Sequence, residues 1–274
     1  MQHVNLDGKV ALVTGGGRGI GRASARLLAR AGAHVMVTAR TEEEIKETTE
    51  LIHQAGGQAE AVPADVSDWA AMIRLAEETD RAFGPADIIV ANAGTLGPVG
   101  DTWTVDNADW AQNVAVNLTG VFHTVRAFLP PMVKRGSGAV IIVSSGAATH
   151  PIPGWSAYCA AKAGVDHFAR NLAAELDQRD LSLRVHTLYP GVVDTAMQEQ
   201  IREMDRETFS QVGKYRGYHQ HDVLRPPEEP ATLILWLATP MAAEFHGRAV
   251  SIDDVDIRRR LADDLDIPMF GARG

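Results

Sequence analysis

Three polar side chains in the middle of the chain have the types and the spacing for acid–base chemistry. Tyr158 and Lys162 are four residues apart in the pentapeptide Tyr-Cys-Ala-Ala-Lys, and Ser145 lies thirteen residues before Tyr158. Positions four apart share one face of a helix, so the phenol and the ammonium can enter the same site. A phenol has a pKa of about 10, and an adjacent cation stabilises its anion and lowers that pKa. With the serine hydroxyl holding a substrate oxygen, the three residues predict proton transfer to or from that oxygen.

Length and composition indicate a single globular domain over residues 1–274. The 274 residues are 45% hydrophobic and 22% charged, and no Pro/Ser-rich linker or internal repeat divides them. The formal net charge is −9, and the sequence pI is about 5.5. An acidic chain without a long basic run argues against nucleic acid and anionic membranes as partners.

The chain has one cysteine, Cys159, so no internal disulfide can form and a reducing compartment suits it. Cys159 is either a nucleophile or a small packing residue, and on a helix it points about 100° away from Tyr158. Residues 1–8 lack the apolar core of a signal peptide, and no apolar run approaches ~20 residues. We therefore expect a cytoplasmic protein. The His-x-His pair at His219 and His221 lacks a credible third ligand, so we predict no metal.

Short apolar runs alternate with longer amphipathic segments along most of the chain. This alternation predicts an α/β fold with a seven-stranded, mostly parallel, doubly wound sheet and helices on both faces. The predicted strands are Lys9–Thr14, His34–Thr38, Ala59–Pro63, Asp87–Ala91, Gly138–Ser144, Leu183–Leu188 and Arg248–Ile252. The predicted helices are Ile20–Ala31, Glu42–Gln54, Asp68–Phe83, Ala157–Gln178 and Glu228–Ala238, with a long, partly helical segment over Asn107–Lys134.

The alternation stops after Pro190. The polar stretch Asp194–Val223 contains two glycines and predicts a short helix followed by a mobile loop. The tail Asp254–Gly274 is charged and weakly patterned, and its arginine triplet Arg258–Arg260 is expected on a solvated helix of mixed charge.

A glycine-rich turn separates the first predicted strand from the first predicted helix, in Thr14-Gly-Gly-Gly-Arg-Gly-Ile-Gly21. Glycines there allow a tight turn and close approach to a pyrophosphate, and the helix N-terminus supplies free N–H groups. A merely flexible turn is the alternative, but the position between strand and helix favours a dinucleotide. The absence of Gly-Lys-Ser/Thr from the sequence argues against a triphosphate loop.

The end of the second predicted strand indicates which dinucleotide is bound. Strand ends that accept NAD commonly carry an acidic residue for the ribose, whereas a cation accommodates the 2′-phosphate of NADP. Here Arg40 follows the strand, Arg18 lies in the glycine loop, and the first carboxylate comes at Glu42. Two arginines favour NADP(H); the alternative is that both are simply solvated.

These motifs together resemble the short-chain dehydrogenase/reductase family over about residues 6–196. The resemblance rests on Thr14-Gly-x-x-x-Gly-Ile-Gly21, Asn92-Ala93-Gly94, Asn117, Ser145, Tyr158-x-x-x-Lys162 and Pro190-Gly191, which occur in the family's order and spacing. It implies a single Rossmann-fold domain, with a cofactor-binding part over about residues 6–150 and a catalytic part with a substrate lid over about 140–225. It also implies a homodimer or homotetramer, formed through the helices near 107–134 and 157–178.

The resemblance implies specific roles. Tyr158 would be the general acid in reduction and the base in oxidation, Lys162 would lower its pKa and bind the nicotinamide ribose, Ser145 would orient the carbonyl, and Asn117 would hold a water. Asp65 would bond the adenine, and Val193 and Thr195 the carboxamide. The remaining predicted cofactor residues are Gly15, Gly17, Arg18, Gly19, Ile20, Gly21, Arg40, Val66, Asn92, Ala93, Gly94, Pro190 and Gly191. Asn92 also suits structural support, and Thr195 a helix N-cap.

Two later stretches resemble the sepiapterin-reductase and benzil-reductase branch, which reduces vicinal dicarbonyls. They are Asp194–Gln198 with Ile201 and Arg202, and Phe245-His-Gly247. Many family members have a glycine pair after an aspartate at the last strand, whereas this chain has Asp253-Asp254. Either aspartate could correspond to the one that anchors the substrate in sepiapterin reductase.

The sequence therefore predicts NADPH-dependent reduction of a ketone, an aldehyde or a vicinal dicarbonyl to an alcohol. We expect the segment Met197–Val223 to close the pocket and Trp155 to line it. The alternatives are oxidation of a secondary alcohol or epimerisation by the same residues, and a non-catalytic NADP-binding sensor on the same fold.

Overall fold

The computed structural model describes residues 4–271. Seven strands form one sheet: β1 (Val10–Thr14), β2 (His34–Thr38), β3 (Gln58–Ala61), β4 (Ile88–Ala91), β5 (Ser137–Val143), β6 (Ser182–Tyr189) and β7 (Ala249–Ser251). Their order across the sheet is β3-β2-β1-β4-β5-β6-β7, and every neighbouring pair is parallel. The predicted doubly wound Rossmann fold is confirmed, and its sheet is wholly rather than mostly parallel.

Ten α-helices are present in the described residues: α1 (Gly19–Arg30), α2 (Glu42–Gln54), α3 (Trp69–Phe83), α4 (Asn107–Val114), α5 (Gly120–Arg135), α6 (Ser156–Asp177), α7 (Ala196–Glu203), α8 (Val212–Gln220), α9 (Glu228–Leu237) and α10 (Val255–Leu265). The apolar core on one face of the sheet includes side chains of α1, α2, α9 and α10, and the core on the other face includes those of α3, α5 and α6. Alternate residues of a strand point to opposite faces, so Val13 joins the first core and Leu12 the second.

The strand order reverses next to β1, because β2 and β3 lie on one side of it and β4 on the other. Loops that leave the carboxyl ends of β1 and β4 therefore diverge and leave a crevice between them, which is where open α/β sheets bind ligands. Among residues 4–271, no helix combines the length and the apolar character needed to cross a bilayer.

The stretch predicted as a short helix and a mobile loop contains two helices, α7 and α8. Two glycines within α8 weaken its intrinsic propensity, but tertiary contacts outweigh that weakness. Arg216 donates to the backbone carbonyls of Arg202 and Met204 at 2.9 and 2.8 Å, which ties α8 to the end of α7. Val212 is buried in the same cluster as Phe209.

Within residues 254–271, the tail is more ordered than its sequence pattern predicted. Asp254 caps α10 by accepting from the backbone N–H groups of Asp256 and Ile257 at 2.9 and 3.4 Å. Arg258 is buried rather than solvated, and its guanidinium donates to the carbonyl oxygen of Phe270 at 2.9 Å. The apolar residues of α10 pack into the core that also includes α1, α2 and α9. The local charge pattern does not reveal this stabilising contact.

Candidate active site

A cavity of about 1040 Å³ opens at the carboxyl edge of the sheet. Its walls include the segments that follow the strands, such as Gly15 after β1, Arg40 after β2, Asn92 after β4 and Pro190 after β6. Of the predicted catalytic and cofactor residues, all line this cavity except Gly21 and Asn117. The fold thus gathers into one space side chains that are far apart in sequence.

The glycine loop has the backbone that a pyrophosphate site requires. Gly15 and Gly19 have φ angles of +63° and +51°, in the left-handed region that favours glycine. Gly21 lies behind the cavity wall, and a Cβ there would be 2.1 Å from the carbonyl oxygen of Gly15. No side chain caps the N-terminus of α1, so its first N–H groups are available to an anion. These residues fit the phosphates of a dinucleotide.

Asn92 and Thr14 hold this loop against the sheet. The Asn92 amide donates to the carbonyl oxygens of Thr14 and Gly15 at 2.9 and 3.2 Å. The Thr14 hydroxyl in turn accepts from the backbone N–H groups of Asn92 and Ala93 at 3.0 and 3.1 Å. In the structure, Asn92 therefore supports the glycine loop, and it also lines the cavity.

The cavity edge near β2 carries a carboxylate in addition to the two predicted arginines. Arg40 and Arg18 line it as predicted, but so does Glu44 from the first turn of α2. Glu44 pairs with Arg18 at 3.7 Å, and both side chains are partly exposed. The sequence pattern did not indicate Glu44, because it is α2 that places this residue over the glycine loop. A Cβ added to Gly17 would lie 2.7 Å from the Cβ of Glu44.

The proposed acid and its partners meet at the start of α6. Tyr158 and Lys162 are buried, with 7% and 3% of their surfaces exposed, and Ser145 lies just after β5. The Ser145 hydroxyl hydrogen-bonds the Tyr158 phenol. The Lys162 ammonium donates to the carbonyl oxygen of Val143 at 2.7 Å and lies 5.7 Å from the centre of the Tyr158 ring. This is the predicted arrangement of phenol, hydroxyl and ammonium.

The pKa of Tyr158 is raised, whereas the sequence predicted a lowered one. Burial raises the pKa of this phenol to about 12, and the hydrogen bond from Ser145 opposes that rise. Burial also lowers the pKa of Lys162 to about 8, while the negative charge of Asp166 raises it. Desolvation is the largest effect on both groups, so the phenol keeps its proton at neutral pH.

Asn117 holds the backbone beside the site rather than facing the cavity. It lies in a π-helical turn, Ala115–Thr119, that joins α4 to α5. Its amide oxygen accepts from the backbone N–H of Thr95 at 3.1 Å, and its amide nitrogen donates to the carbonyl oxygen of Thr95 at 2.8 Å. A Cβ on Gly94 would lie 2.8 Å from that amide oxygen, so glycine is needed there.

Asp65 and Thr195, which are predicted to bind the adenine and the carboxamide of the cofactor, make different local hydrogen bonds. One carboxylate oxygen of Asp65 accepts from the backbone N–H and the hydroxyl of Ser67 at 2.9 and 2.7 Å, which fixes its orientation. Thr195 is at the N-cap position of α7, but its hydroxyl makes no capping bond. It donates weakly to the carbonyl oxygen of Val193 at 3.4 Å.

An aromatic cluster at one end of the cavity combines residues at the start of α6 with residues of α8 and of the segment before it. Trp155 stacks on Phe209 with ring centres 5.3 Å apart and meets the Tyr158 ring edge-on at 5.7 Å. Tyr215 lies 5.5 Å from both Trp155 and Phe209. Trp155 lines the cavity, as expected, and flat apolar walls flank the proposed acid.

Asp253, and not Asp254, belongs to the cavity wall. Asp254 caps α10, whereas Asp253 lines the cavity and accepts from Arg225 at 2.7 Å. Arg225 is 1% exposed and also donates to Glu229 at 2.7 Å. The sequence left the choice between the two aspartates open because both follow the same short strand.

Sequence reasoning also missed Asp166, whose charge acts on Lys162. It lies one turn further along the same face of α6, a spacing of four that could have indicated it. No group of three or more His, Cys, Asp or Glu side chains suited to a metal occurs within residues 4–271.

Comparison with known proteins agrees with this geometry. The family model of short chain dehydrogenases matches residues 9–206. The chain is 32% identical to an uncharacterized NAD-dependent oxidoreductase of Mycobacterium tuberculosis, over 91% of this chain and 96% of that protein. It is 35% identical to 2,3-dihydro-2,3-dihydroxybenzoate dehydrogenase of Bacillus subtilis, over 92% and 97%. Its fold superposes on actinorhodin polyketide ketoreductase with NADPH at a TM-score of 0.82 and 30% identity, covering 89% of this chain and 95% of the other. The chain belongs to the short-chain dehydrogenase/reductase family of oxidoreductases, which use nicotinamide cofactors.

Proposed function

We propose that this protein is an NADPH-dependent reductase that converts a ketone or aldehyde, in particular a vicinal dicarbonyl, to an alcohol. The observation that carries the proposal is that the Tyr158 phenol, its partner Ser145 and the Lys162 ammonium line the same cavity as the glycine loop and Arg40. A proton donor and a dinucleotide site in one cavity are what carbonyl reduction requires.

NADPH, when bound, supplies a hydride to the carbonyl carbon. The Ser145 hydroxyl would orient the carbonyl oxygen, and the Tyr158 phenol would give that oxygen its proton as negative charge develops on it. The buried Lys162 ammonium would offset the charge left on the phenolate and bind the nicotinamide ribose. The raised pKa of Tyr158 keeps the phenol protonated, which is the form that the acid of the reduction requires.

Arg40 supports the choice of NADP(H) over NAD(H). It follows the end of β2 and lines the cavity where a ribose 2′-phosphate would lie. Glu44 opposes that choice, but its charge is paired with Arg18. The solved ketoreductase contains NADPH, whereas the mycobacterial relative is named as NAD-dependent. We therefore propose that Arg40 selects NADP(H) by binding its ribose 2′-phosphate.

The proposed substrate is flat and partly apolar. Trp155 and Tyr215 supply the aromatic wall near Tyr158, and the buried Phe209 stacks on Trp155. Asp253, held by Arg225, offers a carboxylate at another point of the cavity, where it would accept from a donor on the substrate. These features support the branch that reduces vicinal dicarbonyls.

Secondary-alcohol oxidation is the second candidate, because the Bacillus relative is named as a dehydrogenase. The same residues would then act in reverse, with Tyr158 as the base. The full set of Ser145, Tyr158 and Lys162 argues against a non-catalytic sensor.

Purified protein tested with NADPH and a panel of diones and simple ketones decides the reaction. We expect NADPH oxidation, and we expect Tyr158→Phe to reduce kcat by about a hundredfold to ten-thousandfold. Tyr218→Phe, at another tyrosine that lines the cavity, serves as the matched control. Full activity of Tyr158→Phe would overturn the acid assignment, and NADPH binding without turnover would favour the sensor.

We further propose a cytoplasmic homodimer or homotetramer that uses the exposed faces of α5 and α6. Phe122 on α5 is 47% exposed and packs edge-on against Phe168 of α6 at 6.2 Å. An apolar aromatic pair on adjacent helix faces is suited to an interface. We also propose that the domain has three parts. They are a cofactor-binding part over about residues 6–150, a catalytic part with a substrate lid over about 140–225, and a tail over about 254–274.

A further inference from the structure

Gln198 has a buried carboxamide that no described residue satisfies. It lies on α7, three residues after Thr195, and 4% of its surface is exposed. Within residues 4–271, neither its amide nitrogen nor its amide oxygen has a hydrogen-bond partner. Buried polar side-chain atoms are nearly always paired, so two unpaired atoms on one side chain require an explanation.

The position of Gln198 supplies that explanation, because the residue lines the cavity. In the described part of the chain, two other cavity residues, Ser144 and Trp155, have buried polar atoms without a partner. Each of these lacks a partner for one polar atom. Gln198 lacks partners for a donor and an acceptor together, so a ligand that satisfies it must offer both.

The proposed cofactor contacts do not use this carboxamide. They assign the nicotinamide carboxamide to Val193 and Thr195 and the phosphates to the glycine loop. Gln198 is therefore left for the substrate, which would lie beside the aromatic wall formed by Trp155 and Tyr215. Flat walls and an in-plane donor–acceptor pair suit a planar molecule.

We propose that Gln198 determines substrate specificity by pairing with an amide or lactam group that lies beside the carbonyl being reduced. A lactam or a primary amide presents one C=O and one N–H side by side, which matches the nitrogen and the oxygen of Gln198. A second ketone would satisfy the nitrogen alone, and a carboxylate would repel the oxygen. The inference rests on the proposed carbonyl reduction and narrows its substrate class from dicarbonyls to α-keto amides and lactams.

The free protein gives a first test that is independent of activity. Gln198→Met keeps the length of the side chain and removes two unpaired polar atoms, so it should raise Tm by about 2–4 °C. Gln200→Met is the matched control, since Gln200 lies on the same helix and also lines the cavity but is exposed. It should leave Tm unchanged. A lower Tm for Gln198→Met would show that the amide supports the fold, and it would overturn the proposal.

The kinetic test compares isatin, a planar ketone beside a lactam, with two analogues that lack the N–H donor. These are N-methylisatin and the vicinal dione of indane, in which a methylene replaces the N–H. For the wild type we expect kcat/KM to be about tenfold to a hundredfold higher with isatin, mainly through KM. Gln198→Met should abolish that preference and leave the KM for NADPH unchanged, whereas Gln200→Met should keep it. Equal rates on all three compounds, or a preference that survives Gln198→Met, would overturn the inference.

Failure of the proposed function is distinguishable from failure of this inference. If no dione is reduced at all, the proposed reaction fails, and calorimetry with isatin and the NADP-loaded protein decides the role of Gln198 separately. Binding that is at least about tenfold weaker in Gln198→Met supports the role. Equal or absent binding in the two proteins overturns it.

Discussion

The hydroxyl of Tyr189 donates a hydrogen bond to a carboxylate oxygen of Asp166, which lies one helical turn beyond Lys162 on α6. Burial and this contact with Asp166 raise the pKa of Tyr189, so the hydroxyl stays protonated and continues to donate. Asp166 in turn raises the pKa of Lys162, against the larger lowering by burial. A residue outside the recognised motifs therefore adjusts the charge of the lysine that supports the acid.

We predict that replacing Asp166 shifts the pH dependence of reduction. Lys162 has a pKa of about 8, so the rate should fall as the pH rises through that value and the ammonium loses its proton. Asp166→Asn removes the charge that favours the ammonium, so the fall should begin at lower pH. At pH 8, each protein retains a fraction of its own maximal rate. That fraction should be about twofold to tenfold smaller for the variant than for the wild type. Single-turnover reduction measured across pH provides the test.

Tyr189→Phe is the control for this prediction because it removes the hydrogen bond but leaves the charge of Asp166. The rate of Tyr189→Phe should still fall at about the same pH as the rate of the wild type. An Asp166→Asn profile that lies on top of the wild-type profile would mean that Asp166 does not act on Lys162.

Cofactor preference should follow the charges at the end of β2. Arg40→Asp removes a cation and adds a negative charge, so the ratio of kcat/KM for NADPH over NADH should fall by about tenfold to a hundredfold. Glu44→Gln should move the ratio in the opposite direction, because it frees Arg18 from its 3.7 Å ion pair. Arg30→Asp, at the other end of α1, controls for net charge. An unchanged ratio in Arg40→Asp would show that another residue recognises the phosphate.

The sequence predicted the parts of the site whose positions depend on local pattern. The glycine loop, Ser145 after β5 and the Tyr158–Lys162 pair are fixed by turn chemistry, strand ends and helical spacing, and the cavity brings them together. Glu44 and Tyr189 escaped prediction because long-range packing brings each of them to the cavity, whereas Gln198 lies in the segment that was predicted to close it. The raised pKa of Tyr158 escaped for a related reason, since desolvation depends on the surrounding fold rather than on the neighbouring lysine.

The same distinction explains α8, which the sequence did not predict, and the burial of α10, which it predicted as a solvated helix. The glycines of α8 and the charges of α10 weaken the local helix pattern, and the stabilising contacts come from distant residues. Arg216 of α8 binds carbonyls of Arg202 and Met204, and the Trp236 indole donates to Asp264 of α10 at 2.9 Å. Such contacts cannot be inferred from spacing along the chain.

Charge placed on the exposed face of α5 should disrupt assembly. Phe122 is 47% exposed, and Phe122→Glu would bury a carboxylate in any interface formed there. We expect this variant to elute as a smaller species than the wild type in size-exclusion chromatography with light scattering. Trp103→Glu is the control, because Trp103 is 82% exposed in the loop after β4. A monomeric wild type, or an unchanged mass for Phe122→Glu, would contradict the proposed interface.

Stability should decrease in mild acid because of His186. This residue is fully buried on β6, and burial lowers its pKa to about 4 from an ordinary value near 6.5. One ring nitrogen donates to the carbonyl oxygen of Phe245 at 2.9 Å, and the other has no partner among the described residues. Between pH 6.5 and pH 4 the unfolded chain binds a proton that the folded chain does not, so the stability contributed by neutral His186 is complete above pH 6.5 and is lost toward pH 4.

Urea unfolding measured across this pH range tests the prediction. The free energy of unfolding should fall by about 3 kcal/mol between the two limits, in addition to what other groups contribute. His186→Asn keeps a donor for Phe245 and does not titrate, so its curve should be flatter by a comparable amount. His219→Asn, at an exposed position on α8, should follow the wild-type slope. If His186→Asn loses stability in acid as steeply as the wild type, the buried imidazole is not the group that senses pH.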